Sequence, residues 1–67
     1  MVYYKRGLAY YFTFHYKSAL RDLIQSVKYD IPEKFFGDIY YHIGLSFANI
    51  EMFERAISPL SKAIEHC

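Results

Sequence analysis

The chain is short of the residues that small proteins usually rely on for chemistry or for covalent staples. It has no Trp, one Cys, two Pro and three Gly. A lone thiol, Cys67, closes no internal disulfide, and no Cys or His spacing fits a structural zinc site. So few glycines leave out a Gly-rich phosphate loop. No apolar run approaches the roughly 20 residues of a membrane-spanning helix. The opening Met1-Val2-Tyr3-Tyr4-Lys5-Arg6 reverses the order of a secretory leader, in which positive charge precedes the apolar stretch. Charge of one sign is missing too: eight Lys and Arg are interleaved with seven Asp and Glu. That balance offers no footprint for nucleic acid or an acidic membrane surface. A cytoplasmic chain with no cofactor and no metal is expected.

Aromatic residues are abundant. Eight Tyr and six Phe bring the hydrophobic share to 54% of 67 residues. A chain this short buries only about 60% of the surface its unfolded form exposes. Without a disulfide or metal, it needs more protein to cover what is left. Tyr suits such a surface, because its ring packs while its hydroxyl meets water or a partner.

Apolar residues recur three and four apart in four stripes, which predicts an all-α chain with helices near 2–13, 16–29, 34–49 and 53–65. Asp30-Ile31-Pro32 is expected to close the second helix, since proline disfavours helical geometry in the residue before it. Pro32-Glu33 then suits the first turn of the third helix. Pro59, inside the fourth, forfeits the bond to the carbonyl of Arg55, at about 3 kcal/mol, and predicts a kink.

The two halves repeat each other. A shift of 37 residues superposes Tyr3 on Tyr40, Tyr4 on Tyr41, Gly7 on Gly44, Leu8 on Leu45 and Tyr10 on Phe47. It also superposes Tyr16 on Phe53, Ala19 on Ala56, Leu23 on Leu60 and Val27 on Ile64. Fixed-period self-similarity of this kind marks stacked helical units. Gly7 and Ala19 lie 12 apart, as do Gly44 and Ala56. Small residues facing each other are expected to bring the two helices of each pair close together.

The pattern of Tyr3, Gly7, Tyr10 and Ala19, then Tyr40, Gly44, Phe47, Ala56 and Ala63, resembles the tetratricopeptide repeat family. The resemblance covers nearly the whole chain and implies one domain of two antiparallel helix pairs stacked as in an α-solenoid, with repeats near 2–31 and 37–67. Two departures stand out: Arg6 where the family has an aliphatic, and Ser26 where it has alanine. The family's period is 34, so 37 places about three extra residues near 30–37, lengthening the third helix or the loop before it.

The resemblance also implies a concave groove lined by the first helix of each pair. Its positions are Tyr4, Leu8, Tyr11 and Phe12, then Tyr41, Leu45, Ala48 and Asn49, with Lys5 and His42 as donors at its edge. Such a lining suits a protein or peptide partner with an apolar segment. The family's clamp for acidic chaperone tails needs cationic and amide donors. Here the matching positions hold Tyr4, Leu8 and His42, which argues against that ligand. On the last helix, Ile57, Leu60 and Ile64 exceed what one neighbour can cover, so a next repeat or a second copy is expected there.

Nothing points to an enzyme. His15, His42 and His66 have no metal-ligand partners at suitable spacing, and Cys67 has no adjacent base. The expected function is a scaffold or adaptor that binds other proteins. The alternative is a structural fragment or self-assembling mini-array whose groove and last helix are filled by sister repeats or a second copy.

Overall fold

The computed structural model describes residues 2–29 and 32–65. Asp30 and Ile31, expected to end the second helix, lie outside them, as do His66 and Cys67. Within the described residues the chain is all-helical. Its elements are α1 (Val2–Phe12), α2 (Tyr16–Tyr29), α3 (Phe36–Asn49) and α4 (Phe53–Glu65), with one 3₁₀ turn, Glu33–Phe35, before α3. None of these helices is long and apolar enough to cross a membrane.

The 3₁₀ turn falls within the segment where the extra residues were expected. Pro32 does not enter a helical turn. It stands extended before it (φ −64°, ψ 151°), and its carbonyl accepts the Phe35 N–H. The turn sets Phe35 against the first pair, and α3 behind it runs 14 residues against 11 in α1.

Helix α1 packs along α2, α3 along α4, and α2 along α3, with a lighter contact between α1 and α3. Contacts within the first pair step outward from the turn, from Tyr11 on Tyr16 to Arg6 on Asp22, so the two helices run antiparallel. One cluster of buried residues joins the pairs: Ala19, Leu20 and Leu23 from α2 with Ile39 and Ile43 from α3.

The two turns are alike in backbone and unlike in sequence. At the first, His15 N–H reaches the Tyr10 carbonyl and Phe14 N–H the Tyr11 carbonyl. At the second, Met52 reaches Phe47 and Glu51 reaches Ala48. Both are Schellman closures, which need a left-handed residue at the reversal. Phe14 (φ 67°) and Glu51 (φ 64°) fill that place without being glycine.

The nearest side chain over each glycine is a leucine, with the Ala56 carbonyl oxygen also 3.3 Å from a Cβ on Gly44. A Cβ on Gly7 would lie 2.9 Å from Leu23 Cγ, and one on Gly44 would lie 2.5 Å from Leu60 Cγ. The physical reason is the lean of every Cα–Cβ bond toward its helix N-terminus. Leu23 therefore covers the level of Ala19, one turn back, and closes over Gly7. Leu60 is half-buried: it lies against Gly44 and also lines an open cavity beside α3 and α4.

The offset of 16 that joins each glycine to its leucine also joins Arg6 to Asp22. The Arg6 guanidinium donates Nε to Oδ2 at 2.6 Å and Nη2 to Oδ1 at 3.1 Å, and Asp22 is buried. This fork explains why a cation stands at Arg6. In the second pair the counterparts are Ile43 and Pro59, both buried. Helix α4 continues through Pro59.

Candidate protein-binding surface

The expected groove divides into a filled half and an open half. Tyr4, Leu8 and Tyr11 of α1 pack against the core cluster and form the seam with the second pair. Tyr4 sits beside Phe35, with ring centroids 5.8 Å apart, and donates its hydroxyl to Asp38 Oδ2 at 2.7 Å. Burial and then the hydrogen bond and charge of Asp38 push the Tyr4 phenol up from 10.0 to about 12. Tyr11 is raised as well, by burial first and then by Tyr16 and Tyr41.

The sign of the Tyr4 shift makes a prediction. A phenol held neutral in the fold contributes stability in full below its unfolded value near 10, and that stability is lost as pH rises through about 12. Tyr4→Phe is expected to flatten the decline of stability across that window and to remove from the absorbance titration a tyrosine that ionises near pH 12. Superposable titrations of the two proteins would refute the assignment.

The open half is a row of rings crossing from α1 to α3. His42 lies edge-on to Tyr11 at 5.0 Å, to Tyr41 at 5.6 Å and to Phe12 at 6.1 Å. Phe12 is 66% exposed and Tyr41 50%. His42 does not serve as a free edge donor through Nδ1, which lies 2.8 Å from the Asp38 carbonyl and holds the ring in place. Asn49 is exposed but spends its amide on the Leu45 carbonyl at 2.8 Å. Leu45 and Ala48 are half-buried beside it, and Lys5 is exposed.

Of the structural positions, Tyr3, Tyr10, Tyr40 and Phe47 are half-buried, while Gly7, Ala19, Gly44, Ala56 and Ala63 are buried. Lys62 Nζ lies over the Tyr40 ring at 5.3 Å. Ile57 and Ile64 stand outside the packing, strongly exposed. The sequence reading missed the link between Tyr4 and Asp38, which are 34 residues apart. An acid three residues after Phe35 was the available signal.

Among the described residues no group of three or more His, Cys, Asp or Glu side chains gathers in a form that could hold a metal ion. Compared with known proteins, the chain matches no family model, no curated sequence and no solved structure.

Proposed function

We propose that the chain is a protein–protein interaction module, without enzymatic activity, built as two tetratricopeptide-like repeats stacked in the manner of an α-solenoid. Two equivalences at a shift of 37 support the repeat reading: the two turns and the two Gly–Leu closures. The observation that carries the function is the row Phe12, Tyr11, His42 and Tyr41, whose outer members are open. Large rings held in place by packing lose little freedom on binding, and Tyr is prominent among residues that dominate interface energies. The ligand is an apolar peptide segment or partner helix. An acidic chaperone tail fits poorly, for lack of cationic donors along the row. A cytoplasmic setting belongs to the same proposal.

The test is a selection of displayed random peptides on the native chain, followed by affinity measurements. Selected peptides are expected to bind Phe12→Ala and Leu45→Ala at least tenfold more weakly, with helicity kept. Peptides indifferent to both substitutions would refute the row as a binding surface. A second reading, self-assembly, is favoured by the exposure of Ile57 and Ile64. It predicts a mass that rises across a hundredfold range of concentration.

A further inference from the structure

Charge balances over the whole chain but not within each half. Residues 1–29 hold Lys5, Arg6, Lys17, Arg21 and Lys28 against a single carboxylate, Asp22. Residues 30–67 hold three cations against six carboxylates. In the first half the one acid is already spent on Arg6. Part of the excess gathers at a cavity of about 260 Å³ on the first pair, lined by Arg6, Tyr10, Ser18, Arg21 and Asp22.

Arg6 is fixed there at one edge and open at the other. Asp22 holds Nε and Nη2, and Cζ lies 5.7 Å from the centre of the Tyr3 ring. Yet the Arg6 side chain is 53% exposed against 5% for Asp22, and its Nη1 has no partner among the described residues. Arg21, Ser18 and the Tyr10 hydroxyl also have no hydrogen-bond or ion-pair partner among them. Arg21 follows Lys17 by four residues, a like-charge spacing that weakens a helix when no anion lies near. At a shift of 37 the lining positions become Ile43, Phe47, Arg55, Ser58 and Pro59. The second pair thus forms the same turn and the same Gly–Leu closure without this constellation. Folding alone leaves these groups unexplained.

We propose that this cavity binds a phosphate monoester carried by a side chain of a partner protein. Such a group has three terminal oxygens and a charge of about −1.5 to −2 near neutral pH. Two guanidinium forks and two hydroxyls offer donors to all three oxygens, and Arg suits phosphate by its planar geometry. A carboxylate, with two oxygens and one charge, leaves donors unmatched. A phosphodiester carries one charge and continues on both sides, which a single cavity does not track. Asp22 acts by positioning: it holds the Arg6 fork before the ligand arrives. The lining shares no residue with the aromatic row, so the two surfaces stand or fall separately.

The probe is an end-capped peptide of glycines around one phosphoserine, titrated into the isotope-labelled full chain and followed by NMR. Saturable shifts are expected at the Ser18 and Arg21 amides and at Arg6 Nε–H, and none with unmodified serine. Arg6→Gln would strand Asp22 as an unpaired buried charge and confuse binding with folding. Arg21→Gln therefore carries the test, and should weaken binding at least fivefold with helicity unchanged. Lys28→Gln removes the same charge two turns further along α2 and should cost less than twofold. Equal losses from the two would reduce the effect to net charge and overturn the proposal. So would absence of saturation, or equal binding of a peptide with glutamate in place of phosphoserine. A short RNA, or vesicles containing phosphatidic acid, binding more tightly than the phosphopeptide would make the source a nucleic acid or a membrane, and would also overturn it.

Discussion

Gly44→Leu is expected to unfold the second helix pair, with a large loss of helical signal at room temperature. A Cβ at Gly44 would stand 2.5 Å from Leu60 Cγ, 2.6 Å from Leu60 Cδ2 and 3.3 Å from the Ala56 carbonyl oxygen. Even one methyl therefore displaces Leu60, and a whole isobutyl group drives α3 and α4 apart. Overpacking of modest size costs about 1–3 kcal/mol. At roughly 0.05–0.15 kcal/mol per residue, a chain of this length has about 3–10 kcal/mol in all. The smaller Gly44→Ala should destabilise less. Adding Leu60→Ala should then recover part of the loss if crowding is the cause. Gly7→Ala, with its closest approach to Leu23 at 2.9 Å, should be milder still. Urea unfolding followed by circular dichroism ranks the four variants. Wild-type helicity and midpoint in Gly44→Leu would overturn the packing described for the second pair.

Ile39→Ala should uncouple the pairs, whereas Val2→Ala, its counterpart at the start of α1, should change almost nothing. Ile39 is 0% exposed and sits in the cluster with Ala19, Leu20 and Leu23, while Val2 is 68% exposed. Removing a buried isoleucine side chain costs about 2–5 kcal/mol, with the upper range reached where the site cannot collapse. Surface changes stay within about 0.5 kcal/mol. Equivalent positions in the repeat thus carry different weight, because among the described residues only Ile39 is packed against the other pair. Thermal melts of the two variants decide the matter, and equal shifts would refute the asymmetry.

These contrasts also mark what could be read before the structure was in hand. The helices were legible to within two residues, since each stripe is bounded by a turn or a proline. The glycine contacts were misread because spacing along the chain takes no account of the backward lean of side chains, which brings Leu23 rather than Ala19 over Gly7. Arg6 looked like a departure from pattern until Asp22, 16 residues on, proved to be its buried partner. That offset is the one that joins Gly7 to Leu23, so the pair was within reach of a reading that paired residues across the turn. At the candidate surface, exposure of Phe12 and Tyr41 was anticipated, but the closure of Tyr4, Leu8 and Tyr11 was not. The 3₁₀ turn that sets Phe35 beside Tyr4 is three residues long and leaves no periodic trace.

The two reversals at Phe14 and Glu51 carry a consequence of another kind. Thr-Phe-His and Ile-Glu-Met have no letter in common, yet the chain reverses through them with the same dihedral sign and the same pair of hydrogen bonds. The joint is written in main-chain atoms, which all residue types but proline share. Its letters are therefore free to drift in a lineage while the object they describe is inherited unchanged. An alignment of the two halves by identity goes silent at the very segment where their shapes agree.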